Sequence, residues 1–307
     1  MKFFYLKCLY IVTSLLPNDL VAQPENEKFV IITSDIDNFW RAYDSLLSLE
    51  DRADQIEIVN QLYLDPSSLG LEAFTSTRNL TAEKYVQKIT QNPTFWKSIR
   101  AATLDLDNRV STIEDTYDLF RQRYSNFYEP NVCFAIGCLL TNATVSNDFN
   151  WILFGTELIV SDSATEAVSK FKFIVAHEAT HIQQIKNSGY EKKLLNHLLL
   201  EGGADFIAEL ITGISSHRKE TYSYGRIHEK KLWKEISDNL DDQSFDEWFG
   251  SSQRKDRPQR LGYFIGYKIC ESYYQQAKDK KKAIQEIIEI ENAKTFLKES
   301  GYEKKFE

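Results

Sequence analysis

One helix-forming segment, between residues 164 and 186, constrains this sequence of 307 residues more than any other feature. Its apolar residues recur every three or four positions, which predicts a helix with one buried face. These residues are Val168, Phe171, Ile174, Val175, Ile182 and Ile185. We expect the helix to begin at Ser163 or Thr165 and to continue to about Lys186, with Gly189 ending it.

Two histidines on this helix are spaced to bind one metal ion. The segment reads His177-Glu178-Ala179-Thr180-His181, and residues four apart lie about 40° apart around an α-helix. Both imidazoles can therefore point at the same ion from neighbouring turns. Glu178 is displaced by about 100° from His177, so its carboxylate can reach a water molecule on the ion without being a ligand.

A second segment, Glu201-Gly202-Gly203-Ala204-Asp205, supplies the expected third ligand. Zinc in hydrolases usually takes three protein ligands and a water molecule, and Glu201 on another helix, predicted over residues 191–212, completes a set of two histidines and one carboxylate. Asp205 lies one turn later and can accept the free ring N–H of His177. Gly202 and Gly203 are costly inside a helix, which indicates a close approach of two backbones.

The complete pattern resembles that of the gluzincins, the thermolysin-like zinc peptidases, at all five polar positions. The chain also resembles an exported family of predicted zinc-dependent proteases, domain of unknown function 2268. Three segments carry this resemblance: the motif Glu-Gly-x-Ala-Asp at residues 201–205, residues 262–267 (Gly-Tyr-Phe-Ile-Gly-Tyr) and residues 296–302 (Phe-Leu-Lys-Glu-Ser-Gly-Tyr). The resemblance spans about residues 120–302. It implies an α+β, predominantly helical fold, with a zincin-like core in which a small sheet precedes the metal-binding helix.

The resemblance also implies a mechanism and one Zn²⁺ ion held by His177, His181 and Glu201. Zinc lowers the pKa of a water molecule and polarises the substrate carbonyl, while Glu178 is the general base. Peptidases of this kind use a Tyr or His from the C-terminal half to stabilise the oxyanion. Tyr263 is our first candidate for this role and His228 the second.

Other histidine arrangements fit the sequence less well. The metzincin pattern requires a glycine and a histidine where this chain has Gln184 and Asn187. His197, four residues before Glu201, remains an alternative third ligand or a neighbour of the metal site. His217 and His228 have no spacing relation to the motif, which favours surface or loop positions.

The remaining periodicities predict three regions: a signal peptide (1–22), a helical N-terminal region packed on the core (23–125) and the zincin-like metallopeptidase domain (126–307). Apolar runs at residues 131–140 and 151–160 predict two neighbouring strands with a long polar connection. Residues Trp151–Gly155 are our candidate for an edge strand that pairs with a peptide substrate. Two further helices are predicted at residues 261–276 and 282–298.

The first residues resemble an export signal. Lys2 precedes an apolar run, and Ala22 offers a cleavage site, so we expect an exported protein, either periplasmic, surface-associated or secreted. Cys8 follows Lys7 inside the apolar run, which disfavours a lipoprotein. No later segment is long and apolar enough to predict a membrane span in the mature chain. Cys133, Cys138 and Cys270 are expected to be buried thiols.

Composition and motif together predict a zinc-dependent hydrolase acting on a peptide or protein. The net charge of −8 argues against nucleic acid as a partner. Two alternatives remain open: a binding or assembly protein of the cell envelope on a zincin scaffold with little or no catalysis, and a zinc amidase acting on cell-wall material. Glu178 favours an enzyme, since a scaffold has no use for the base.

Overall fold

A computed structural model describes residues 29–160, 164–188, 191–243, 245–250 and 256–307. The predicted signal peptide, Ser163 and Gly189 lie outside the described residues. Within them, the molecule is α+β and predominantly helical, as predicted, and its small sheet is formed before the helix that carries the two histidines.

The described residues form four strands and fourteen α-helices. The strands are β1 (Ile31–Ile32), β2 (Asn131–Ala135), β3 (Ala143–Val145) and β4 (Trp151–Gly155). The helices are α1 (Asp35–Leu46), α2 (Arg52–Val59), α3 (Leu69–Arg78), α4 (Ala82–Gln91), α5 (Pro93–Leu104), α6 (Asp107–Arg123), α7 (Thr156–Ile159), α8 (Ala164–Ser188), α9 (Leu194–Thr212), α10 (Lys219–Ile236), α11 (Asp246–Phe249), α12 (Leu261–Gln276), α13 (Lys280–Ile288) and α14 (Ala293–Ser300).

The sheet has the order β1-β2-β4-β3, with β1, β2 and β4 parallel and β3 antiparallel to β4. The prediction that Trp151–Gly155 is an edge strand is therefore wrong, because β4 lies between β2 and β3. The polar segment that we interpreted as a connection contains β3. Its polar residues form the following turn, in which the Ser146 hydroxyl accepts from the Trp151 N–H at 3.0 Å.

Both predicted strands are shorter than their apolar runs. After β2, the chain turns around the buried carboxylate of Glu157, which accepts from the backbone N–H groups of Gly137 and Leu139 at 3.0 and 2.7 Å. Cys138 and Leu139 have positive φ angles in this turn. The second run leaves the sheet after Gly155 and forms α7. Each apolar run therefore contains one strand, β2 or β4, followed by residues that leave the sheet.

The predicted helices differ from the observed helices mainly in where they begin and end. Residues 261–276 form α12 as predicted, but residues 282–298 form parts of two helices, α13 and α14. The break occurs because Asn292 caps α14, accepting from the Thr295 N–H at 2.9 Å. In α8, Val168 is 46% exposed whereas its neighbour Ala167 is buried, so, contrary to our expectation, Val168 does not belong to the buried face.

Helices cover both faces of the sheet. On one face, Gly70 of α3 packs directly on the Cys133 side chain. On the other, Phe134 and Phe154 stack at 5.2 Å, and Phe171 of α8 lies 5.0 Å from Phe154. The hydrophobic core is continuous from Phe29 to Tyr302, and β1, which belongs to the region predicted as helical, pairs with β2. The proposed boundary at residue 125 stays a prediction.

Two further sequence expectations concern cysteines and membranes. Cys133, Cys138 and Cys270 are buried free thiols, as predicted. Across the described ranges, no helix combines the length and the apolar character needed to cross a membrane.

Candidate metal centre

Helices α8 and α9 bring His177, His181 and Glu201 to one point. The two histidine Nε2 atoms are 2.9 Å apart, and Glu201 Oε2 lies 3.5 Å from His177 Nε2 and 3.4 Å from His181 Nε2. The histidines are buried and Glu201 is half-buried. Within the described residues, this is the group whose donor atoms could together hold a metal ion.

The donor spacing fits zinc. Four-coordinate zinc with bonds of about 2.0–2.1 Å is tetrahedral, so its ligand atoms lie about 3.3 Å apart. The three observed separations are scattered around this value. Each histidine has an oxygen acceptor near Nδ1, Asp205 Oδ1 at 2.8 Å from His177 and Gln184 Oε1 at 3.1 Å from His181, so a proton on each Nδ1 would leave the Nε2 lone pairs directed at the Glu201 carboxylate. Two nitrogen lone pairs and an anionic oxygen repel each other unless a cation lies between them.

The Asp205 carboxylate lies beside His177, the ring that the sequence analysis expects it to contact. Its Oδ1 lies 2.8 Å from His177 Nδ1. Arg218 forms an ion pair with the same carboxylate at 2.9 Å, and Tyr222 and Ser216 donate to Oδ2 at 2.8 and 3.0 Å. Burial would raise the pKa of Asp205, but Arg218 and His177 outweigh it and lower this pKa to about 2. The carboxylate is therefore ionised and held on several sides.

Gln184 orients His181, and the sequence analysis missed this role. Gln184 Oε1 lies 3.1 Å from His181 Nδ1, and its amide nitrogen donates to the backbone carbonyl of Leu200 on α9 at 3.1 Å. The signal was present in the sequence, since Gln184 follows His181 by three residues and so lies on the same helix face.

The site attracts positive charge. Burial opposes protonation of His177, yet the carboxylates of Asp205 and Glu201 raise its pKa to about 9. Burial likewise opposes ionisation of Glu201, but the two histidines lower its pKa well below the usual value. A cation is thus favoured at the point where the three side chains meet, as a metal site requires.

A third helix, α12, crosses α9 at very short range. A Cβ atom on Gly266 would lie 1.7 Å from the Leu198 carbonyl oxygen, and one on Gly202 would lie 2.2 Å from the Tyr267 backbone nitrogen. The expected close approach of two backbones therefore occurs at Gly202. Gly203 instead faces the Gln184 side chain at 3.1 Å. This crossing brings Tyr263 to the metal site.

Tyr263 lies beside the three candidate ligands. The Arg218 guanidinium stacks over its ring at 3.9 Å, and the His177 ring lies 6.2 Å away. Burial and the Glu201 carboxylate raise the pKa of Tyr263 far above its usual value, so its hydroxyl remains a hydrogen-bond donor. No spacing rule linked Arg218 to the motif, so the sequence analysis did not find it.

These groups open into a cleft of about 400 Å³. Glu178, half-buried, lines it together with the ligand side chains and Tyr263. The opposite side consists of residues 141–145, which include the edge strand β3, and Arg78. The cleft thus joins a metal-binding group, a carboxylate and a strand edge.

The other histidines are arranged differently. His197 Nε2 lies 3.9 Å from Oε1 of Glu201, the oxygen that does not face the histidine pair, and its ring packs on Phe245 and Phe249. His217 lies in the loop before α10 and is half-buried. His228 packs on Tyr224 within α10 and is not among the described residues that line the cleft.

Comparison with known proteins gives one match. A family described as "Predicted Zn-dependent protease (DUF2268)" matches residues 153–298, which include every candidate residue of the metal centre. No curated protein and no solved structure matches the chain significantly. From β4 to α14, the chain therefore resembles a family of predicted zinc-dependent proteases.

Proposed function

We propose that this protein is a zinc-dependent peptidase of the gluzincin type, in which Glu178 is the general base. One observation carries the proposal: two imidazole nitrogens and a carboxylate oxygen converge at the spacing of a tetrahedral zinc site, and Glu178 borders the same cleft. The resemblance to predicted zinc-dependent proteases supports it.

The side chains around the ion would divide the work of peptide hydrolysis. Zinc, when bound, supplies Lewis acidity that activates water and polarises the substrate carbonyl. Glu178 accepts the proton from the attacking water and passes it to the leaving nitrogen. The Tyr263 hydroxyl donates a hydrogen bond to the oxyanion that develops on the carbonyl carbon. Asp205 and Gln184 keep the two histidine rings in the orientation that directs Nε2 at the ion.

The edge strand β3 replaces β4 as the proposed binding site for the substrate backbone. Hydrogen bonds from Gly155 to Asn142 and from Ser146 to Trp151 fix which residues face β4. By alternation, the backbone groups of Ala143 and Val145 face the open edge. The Ala143 N–H and C=O are bonded to the side chains of Asn142 and Thr141, which a peptide strand could displace.

The test combines metal content with hydrolysis of a mixed peptide library. We expect the purified protein to contain about one zinc per chain, Glu201→Ala to lose most of it, and Glu178→Gln to keep it. We expect Glu178→Gln to lower the hydrolysis rate about a thousandfold, as is typical on removal of a general base. Glu303→Gln, an exposed change far along the chain, is the control. Equal turnover by Glu178→Gln and the unchanged protein would contradict the proposal, and running the assay on cell-wall fragments tests the amidase alternative.

We also propose that the protein acts after export, which the N-terminal sequence alone supports. Cleavage after Ala22 would leave Gln23 as the first residue of the mature chain. The N-terminus of the protein recovered from the envelope or the medium would test this, and an uncleaved chain confined to the cell interior would contradict it.

A further inference from the structure

Three arginines line the cleft of a chain whose net charge is −8: Arg78, Arg218 and Arg260. Arg218 forms an ion pair with Asp205, and its side chain is only 13% exposed. Arg78 and Arg260 are exposed, and neither pairs with a carboxylate in the part of the chain that the structure describes. Two positive charges at the mouth of a cleft in an acidic protein point to an anionic group on the substrate.

Arg78 is placed at the strand edge. It is the last residue of α3, and its guanidinium donates to the Thr144 hydroxyl on β3. Thr144 pairs with Leu153, which pairs with Cys133, and Cys133 faces Gly70 of α3. Residues that pair across strands share one face of a sheet. The Thr144 side chain therefore lies on the α3 face, as would the side chain of a substrate residue opposite it.

Arg78 keeps unused donors for such a side chain. A guanidinium has five N–H donors, and the hydrogen bond to Thr144 uses one of them. The planar fork of the group matches a carboxylate, which can accept two parallel hydrogen bonds from it. Arg260 precedes α12 and contributes charge from the side of the cleft that carries Tyr263.

We propose that Arg78 is a specificity residue that binds a substrate carboxylate, so that the cleft selects acidic peptides, with Arg260 adding a second positive charge. This inference rests on the proposed function for its substrate class. The carboxylate can come from an Asp or Glu side chain opposite Thr144 or from the C-terminus of the peptide. Both sources offer the same chemistry, and the experiment separates them.

The experiment measures binding in the Glu178→Gln background, loaded with zinc, so that peptides are not consumed. The probes are short uncharged peptides, blocked at both ends, in which one Glu or one Gln is moved through each position. A third probe has no Glu but a free C-terminal carboxylate. We expect the best Glu peptide to bind about fivefold to tenfold more tightly than its Gln partner, with a smaller difference at high salt.

Matched variants assign the preference to Arg78. Arg78→Gln should reduce the Glu-to-Gln ratio to about one, whereas Arg78→Lys should keep part of it. Thr144→Val removes the hydroxyl that accepts a hydrogen bond from Arg78 but leaves the charge of Arg78 in place. It should therefore lower the Glu-to-Gln binding ratio less than Arg78→Gln does. Arg41→Gln removes one exposed charge on α1, away from the cleft, and should leave the ratio unchanged.

Equal binding of Glu and Gln peptides at every position, with no gain from the free C-terminus, would overturn the inference. So would a full preference that persists in Arg78→Gln. A gain only from the free C-terminus would identify the terminal carboxylate as the ligand. If acidic peptides are preferred through Arg78 but the chain with Glu178 hydrolyses none of them, the specificity site stands and the peptidase function fails.

Discussion

The two sides of the cleft are built in opposite ways. The helical wall consists of the cleft-lining residues of α8, α9 and α12, and both of its histidines are buried and contact a further side chain, His177 that of Asp205 and His181 that of Gln184. The strand wall consists of residues 141–145 and Arg78, and the outward N–H and C=O groups of Ala143 are bonded to the side chains of Asn142 and Thr141, close by in sequence. On the proposed function, the helical wall would hold the reacting groups in place, while the strand wall would change hydrogen-bond partners when a peptide binds.

The largest expected effect comes from Asp205→Asn, which removes the buried carboxylate that contacts His177 of the helical wall. The substitution leaves the Arg218 guanidinium without its counter-charge, and breaking such a buried pair costs about 3–5 kcal/mol. It also weakens the acceptor for His177 Nδ1, so zinc affinity should fall about 10–100-fold. Urea unfolding in the presence of a chelator and a competitive zinc titration measure the two effects separately.

Ser216→Ala is the matched control, because it removes one hydrogen bond to Asp205 and leaves the ion pair with Arg218 intact. We expect it to lower zinc affinity by no more than about threefold. Were Asp205→Asn to bind zinc as tightly as this control, the helical wall would not depend on the orientation of His177, and the contrast between the two walls would lose its basis.

The second-largest expected effect comes from Gly266→Ala, which tests the packing of α9 against α12 behind the helical wall. Gly266→Ala places a Cβ atom 1.7 Å from the Leu198 carbonyl oxygen, and a backbone atom cannot move aside as a side chain can. We expect α9 and α12 to separate, with a loss of about 3 kcal/mol in the free energy of unfolding. Because α9 carries Glu201 and α12 carries Tyr263, the hydrolysis rate should fall with stability.

Gly213→Ala is the control for this crossing. It introduces the same methyl group at the end of α9, where nothing lies within 4 Å, so only the strain of its φ of +70° remains. That strain is worth about 1 kcal/mol. Similar losses of stability in the two variants would contradict a close-packed crossing.

The helical wall was also the more predictable of the two. Residues four apart share a helix face whatever the tertiary structure, so the relation of His177 to His181 and of Glu201 to Asp205 could be inferred from spacing alone. That these groups bind zinc stays a prediction. The contact of Arg218 with Asp205 could not be predicted, because Arg218 lies in the loop after α9 and no local spacing rule connects the two positions.

The strand wall could not be predicted in the same way. Three residues are too few for alternation to identify β3, and its strand structure comes from pairing with β4. The order of strands in a sheet depends on tertiary structure and cannot be inferred from local sequence. The edge was therefore assigned to the apolar segment Trp151–Gly155, which in the structure is buried between β2 and β3. Arg78, 66 residues before Thr144 in sequence, belongs to no motif that would place it beside Thr144.

The smallest expected effect concerns the support of the strand wall, the buried Glu157. Its carboxylate accepts from Gly137 and Leu139, which fixes the loop that leads into β3. Burial raises the pKa of Glu157 from 4.5 to about 7, although these backbone donors oppose the shift. The folded state therefore holds a proton that the unfolded state has lost between these two values.

The direction of the pH dependence follows. Because the folded pKa is raised, the contribution of Glu157 to stability is fully present below about pH 4.5 and is lost as the pH rises through about 7. Linkage sets this loss at no more than about 3 kcal/mol, and we expect about 2 kcal/mol, since local opening relieves part of the cost. Glu157→Gln cannot ionise, so its stability relative to the unchanged protein should increase over this pH range.

Urea unfolding of both proteins at several pH values measures this difference, and Glu72→Gln, an exposed change on α3, corrects for the general effect of losing one carboxylate. A difference that stays constant with pH would mean that Glu157 does not titrate in this range. If the difference does increase, the loop before β3 should also become easier to open above neutral pH. The strand wall would then become easier to open as the pH rises, while the helical wall keeps its geometry. Such a result would show directly that the two sides of the cleft differ in how firmly they are held.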